Sequence, residues 1–119
     1  RHSFPTRRSS DLLDPRPTAI FAANDQMASG AVLGLHRKGV RVPQDVSIVG
    51  FDDLATSPYA VPPLSTIHQS SYEQGRLAAQ AMLQLLAGTR PTVMFPPPLL
   101  IARESSARLS GKSNTKPAF

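Results

Sequence analysis

The chain alternates short apolar runs with stretches of helical period. Positions 18–24 (TAIFAAN) form a run of β-compatible residues behind Pro15 and Pro17, and a buried strand is expected there. Met27, Ala31 and Leu35 then recur at i, i+4 and i+8, with Ala28 and Val32 widening the stripe. That spacing predicts a helix over 25–38. Arg37 and Lys38 suit its negative C-terminal end, and Gly39 can take the left-handed conformation that closes it. Positions 46–51 (VSIVGF) are again almost continuously apolar, the pattern of a strand covered on both faces. Strand, helix and strand within about 35 residues predict a βαβ unit with parallel strands and a right-handed crossover.

Beyond Asp52 and Asp53, Pro58, Pro62 and Pro63 impose a loop, with a short extended piece expected at 65–68. Ser70 and Glu73 have capping-box spacing, and Ala78, Met82 and Leu85, with Ala81 and Leu86 beside them, trace one face of a helix expected over 71–87. Gly88 and Pro91 stop it. Short strands are expected at 93–95 and 99–102, separated by Pro96, Pro97 and Pro98. From Ser105 the chain loses its period. The fold-forming part is taken as 16–106, and 107–119 as a disordered tail. The fold class read from this pattern is α/β, a parallel sheet with flanking helices. So few strands cannot cover two apolar helices, and part of the sheet, with a preceding lobe, is expected to lie outside this chain.

Composition changes the picture in two ways. The 119 residues include no Cys, which excludes a disulfide scaffold, a thiol nucleophile and cysteine-based metal sites. No apolar run approaches the roughly 20 residues of a membrane span. The net charge of +5 invites a nucleic-acid reading, but its distribution argues against one. Residues 1–17 carry +2 and residues 103–119 carry +3, while five basic and five acidic residues cancel between them. The excess belongs to the ends, not to a face built on the fold. The opening RHSFPTRRSSDL resembles translated sequencing-adapter DNA, so 1–15 is set aside as a non-native or disordered leader.

Candidate chemistry gathers at strand ends. In an open parallel sheet, ligands bind beyond the carboxyl ends of the strands. Asn24 and Asp25 follow the first strand, and Asp52 and Asp53 the second, so both pairs are expected to face one crevice. Amide and carboxylate together suit polyol hydroxyls or a base edge. Simpler roles compete: Asn24 or Asp25 as helix N-cap, and one of Asp52 and Asp53 shaping an Asx-turn. A catalytic carboxylate dyad is disfavoured because adjacent residues on an extended chain point apart. His36 is expected on the exposed side of its helix, and His68 at the edge of the crevice. No histidine pair has metal-ligand spacing, and no phosphate loop or nucleophile elbow occurs. The reading is a binding protein, not an enzyme, with no cofactor and no metal. Pro96–Pro98 fits a polyproline ligand or a chain crossing between lobes equally well.

Three blocks carry a resemblance: ANDQMASG, VPQDVSIVGFDD and PPLSTI, in this order, followed by a helix and a Pro-rich strand ending in Arg103, Glu104 and Ser105. Over 16–106 the chain resembles the C-terminal part of the effector-binding domain of the lactose/galactose repressor (LacI/GalR) family. The resemblance implies a fragment of a two-lobed, periplasmic-binding-protein-like fold with a small effector, sugar-like or nucleobase-like, between the lobes. It implies effector contacts from Asn24 and Asp52, with Gln69 near the cleft. It implies a homodimer formed by the helix from 25 and the loop 54–61, through Met27, Ala28, Ala31, Tyr59, Ala60 and Val61. It also implies a cytoplasmic regulator that binds operator DNA through a helix-turn-helix domain absent from this chain. A periplasmic or extracellular sugar-binding protein of the same fold is the alternative.

Overall fold

The computed structural model describes residues 17–109. The expectations for the leader 1–15 and for 110–119 lie outside them. The elements are β1 (Ala19–Phe21), α1 (Asp25–His36), β2 (Ser47–Phe51), a 3-10 turn (Ser57–Tyr59), β3 (Ser65–His68), α2 (Ser71–Leu86) and β4 (Leu99–Ile101). They form one sheet in the order β1-β2-β3-β4. The first three strands are parallel, with Ile20 opposite Ile48 and Gly50 opposite Thr66.

β4 departs from the all-parallel expectation. It pairs antiparallel, its first residue Leu99 opposite His68, the last residue of β3. The chain leaves the carboxyl edge of the sheet as α2 and re-enters at that same edge, so the returning strand must run backwards. The strand expected at 93–95 is not formed, because prolines at 91 and 96 leave no room for a ladder. α1 ends at His36, earlier than expected. Gly39 nevertheless takes a φ of +73°, and Val40 donates its N–H back to the Leu35 carbonyl. α2 ends at Leu86 and is capped as expected, the Ser70 hydroxyl accepting from the Glu73 N–H at 3.2 Å.

One face of the sheet holds the core. Ile48 and Leu64 are fully buried there with Ala22 and Ala28, and Ile20, Ala31, Val32 and Leu35 pack around them. Burying a side chain of the size of Ile48 or Leu64 contributes about 1.5–3 kcal/mol. Gly50 lets α1 approach. A Cβ there would lie 2.2 Å from Asp25 Oδ1 and 3.2 Å from the Asp25 Cα, so only glycine fits beneath the helix. Burial of β1, and burial of β2 on both faces, were expected and are not found. Ile48 and Gly50 are buried under α1, while Ser47, Val49 and Phe51 are half-buried, and Phe21 is exposed.

The stretch after β4 is tied to the sheet. Ser105 is fully buried. Its hydroxyl donates to the Ile48 carbonyl at 2.7 Å and accepts the Ser65 N–H at 2.7 Å, joining β2 to β3. Its own carbonyl accepts the Ile48 N–H, and Ala107 exchanges hydrogen bonds with Ser47 Oγ. A serine-rich stretch without hydrophobic period is thereby part of the fold through hydrogen bonds alone.

Candidate functional site

The parallel pairing brings the carboxyl ends of β1, β2 and β3 to one edge. Asn24 is the N-cap of α1: its Oδ1 accepts the Met27 N–H at 2.8 Å. It is half-buried at the edge. Asp25 does not face the crevice as expected. It is 1% exposed and turned inward under the 52–57 loop. Its Oδ2 accepts the Leu54 N–H at 2.9 Å and the Ser57 hydroxyl at 2.5 Å, and its Oδ1 accepts the Thr66 hydroxyl at 2.5 Å. A carboxylate with three donors is a tie between helix, loop and sheet.

Asp52 and Asp53 are adjacent and have opposite fates. Both have left-handed backbones, with φ of +101° and +52°. Asp53 is held on both oxygens: Arg103 Nη2 donates to Oδ1 at 2.7 Å, and His68 Nδ1 lies 3.0 Å from Oδ2. Partial burial pushes the Asp53 carboxyl up. The hydrogen bonds from Arg103 and His68, with the charge behind them, outweigh that and bring it below its ordinary value. Asp52 is exposed, its backbone N–H donating to the Ile67 carbonyl at 2.9 Å. Its carboxylate has no partner among the described residues. No paired-carboxylate acid–base arrangement results, because both Asp53 oxygens are occupied, by Arg103 and by His68. Asp52 is a free acceptor at this edge.

Gln69 follows β3 and is half-buried. It lines a shallow hollow of about 480 Å³ against α2, with Gln74, Ala78 and Phe95. The rings of Phe21 and Phe51 meet edge-to-face, their centroids 6.5 Å apart. The pair is not among the residues expected at the site. Its signal was there, since each phenylalanine is the last residue of its strand. Arg103 gives no such signal, because it lies 50 residues from its carboxylate partner. A free carboxylate, a capping amide and two aromatic rings on one edge can accept hydroxyl or amine protons and stack against the flat face of a sugar or base.

A second concavity lies on the α1 side. A groove of about 630 Å³ runs between Ser29, Val32, Leu33 and His36 of α1 and the loop residues Tyr59, Ala60 and Val61. Leu33, Tyr59 and Val61 are 49%, 85% and 88% exposed, an apolar surface of unusual extent for a chain with so small a core. Of the helix residues expected at a partner surface, Ala28 is fully buried against β2 and presents none; Ala31 is half-buried on the core, and Met27 is exposed but outside the groove. The i, i+3, i+4, i+7 stripe beginning at Ser29 lines the groove instead. Among the described residues, no group of three or more His, Asp or Glu could hold a metal ion. No described helix is long and apolar enough to cross a membrane.

The model of the periplasmic binding protein-like domain matches residues 2–106, a span that takes in most of the leader. The chain belongs to this family. Its relatives narrow the group. Over 68 residues it is 52% identical to the HTH-type transcriptional repressor PurR of Haemophilus influenzae (strain PittEE), a match covering 57% of this chain and 20% of the repressor. A crystal structure of a LacI family transcriptional regulator from Bifidobacterium animalis subsp. lactis superposes with a TM-score of 0.76 at 41% identity, over 85% of this chain and 38% of that one. The lac repressor dimer bound to operator and the anti-inducer ONPF superposes with a TM-score of 0.67 at 36% identity, over 79% and 32%. The chain corresponds to the C-terminal part of the effector-binding domain of LacI/GalR-type regulators, and it spans about a fifth to two-fifths of the proteins it matches. These relatives are transcriptional regulators.

Proposed function

We propose that the chain supplies one wall of the effector cleft, and part of the homodimer surface, of a cytoplasmic LacI/GalR-type transcriptional regulator. Asp52 carries the reading. It is a free carboxylate beyond the carboxyl end of β2, beside a neighbour whose oxygens are both occupied. The effector is a small polyol or nucleobase whose hydroxyl or amine donates to Asp52, with the free part of the Asn24 amide at one side, Gln69 at the rim and Phe21 and Phe51 beneath. The groove beside Tyr59 and Val61 is the dimer surface, a role in keeping with the dimeric form of the matched lac repressor structure. Operator DNA is bound by a helix-turn-helix region of the full-length regulator, and effector binding alters its affinity as a linkage between two sites.

The test uses the full-length regulator, titrated with a panel of mono- and disaccharides and purine and pyrimidine bases. Asp52→Asn is expected to weaken binding of the responding compound by about tenfold or more, the cost of losing a charged acceptor. DNA affinity without effector is expected to stay unchanged. A dissociation constant unaltered by both Asp52→Asn and Asn24→Ala would count decisively against this site.

A further inference from the structure

Two consecutive non-glycine residues with positive φ are uncommon, and the value of +101° at Asp52 lies outside the small left-handed well. Such a backbone persists only where its surroundings over-determine it. Four contacts do so here. The Asp52 N–H donates to the Ile67 carbonyl, and the Asp53 N–H donates to Thr66 Oγ1 at 3.3 Å. The Asp53 carboxylate is held by His68 and by Arg103. The first three of these contacts come from β3 itself.

Arg103 is different. It arrives from beyond β4, and its guanidinium forks. Nη1 donates to the Leu64 carbonyl at 2.8 Å while Nη2 donates to Asp53, and its own backbone N–H donates to Ser65 Oγ at 2.8 Å. With 18% of its side chain exposed, it is a half-buried brace between the start of β3 and the loop that follows β2. The planar fork fixes the Asp53 carboxylate in direction as well as distance. Since Asp53 follows Asp52 directly, fixing the first fixes the backbone of the second.

We propose that Arg103 is a positioning residue for Asp52: by holding Asp53 against β3 it keeps both aspartates at positive φ and so aims the free Asp52 carboxylate out of the sheet edge. The functional meaning of that aim rests on the effector reading of Asp52. The backbone effect does not.

The experiment is solution NMR on the isotopically labelled 119-residue chain, without ligand. One-bond Cα–Hα couplings and intraresidue HN–Hα cross-peaks report the sign of φ at Asp52 and Asp53. Arg103→Gln is expected to abolish the positive-φ signature at both, while the amide shifts of Ala28 and Ile48 in the core stay in place. An arginine that merely stabilises the fold would instead move core shifts and leave the signature intact. Positive φ retained at Asp52 in a folded Arg103→Gln chain overturns the proposal. Should that variant not fold, the near-isosteric Asp53→Asn, which removes the charge that Arg103 grips, carries the same expectation and decides in the same way. Failure of Asp52→Asn to weaken effector binding would sink the effector reading and leave these couplings unaltered, so the two failures are distinguishable.

Discussion

α1 and α2 look alike in sequence and behave differently in the fold. Each has a capped start, an apolar stripe and a glycine past its end. α1 buries Ala28 and Asp25 against β2. α2, although longer, buries none of its residues, and Met82, Leu83, Leu85 and Leu86 are 55% to 77% exposed. An apolar stripe therefore specifies that a helix forms and which side wants cover, but not what covers it. On α1 the cover is decided by two details that hydrophobicity does not register: a glycine in the facing strand and an aspartate on the helix.

The sharpest way to break that contrast is Asp25→Ala. It would leave the Ser57 hydroxyl, the Thr66 hydroxyl and the Leu54 N–H without their acceptor, in a site 1% exposed. Buried donors left unsatisfied cost about 1–3 kcal/mol each and do not add fully, so a loss of about 4 kcal/mol is expected. Urea unfolding of the chain measures it. A loss below about 1 kcal/mol would mean that apolar contact alone seats α1, as the area-based view of burial holds.

That details of this kind escape a sequence reading has a physical reason. Periodicity reports which residues prefer to leave water, and it places both helices and all four strands to within a few positions, with one strand too many at 93–95. It also put Asn24 and Asp52 at one sheet edge. It is silent on hydrogen bonds between residues far apart in the chain. Asp25 to Thr66, Arg103 to Asp53 and Ser105 to Ile48 span 41, 50 and 57 residues. Hence the pattern aims Asp25 at the crevice, does not tell Asp53 from Asp52, and gives no sign that Ser105 is a buried tie between strands. The groove is half legible: Tyr59, Ala60 and Val61 line it, while on α1 it is lined by Ser29, Val32, Leu33 and His36 and not by Met27, Ala28 and Ala31. A pattern of small residues at 28 and 31 marks close packing against the chain's own sheet, not a surface for a partner.

A smaller effect separates the two helices by acid. Asp53, tied to the α1 side of the sheet through Thr66, has 18% of its side chain exposed and a lowered pKa. Glu73, on α2, is also lowered, by its hydrogen bond and ion pair with Arg76, but it stands in solvent. For both, the folded carboxyl titrates below the unfolded one. Their contribution is complete above the ordinary values of 3.8 and 4.5 and is lost as pH falls through the lower folded values. Solvent screening leaves a surface pair little to lose. Asp53→Asn is expected to flatten the decline of stability between about pH 5 and pH 2, and Glu73→Gln to leave it nearly unchanged. Equal flattening by the two, in urea midpoints taken across that range, would erase the distinction.

The smallest effect tests α2 itself. Lysine has nearly the helix propensity of leucine, so replacing an exposed leucine removes little but apolar surface. If α2 is uncovered in this chain, the double variant Leu83→Lys, Leu86→Lys should change unfolding stability by no more than about 0.5 kcal/mol. It should also lower the fluorescence of an apolar dye such as ANS, because the surface lost is surface the dye can reach. A cost of several kcal/mol would show that these leucines are covered in solution after all. The stripe on α2 would then have found a partner as the stripe on α1 did, and the difference between the helices would lie in the identity of that partner and not in its absence.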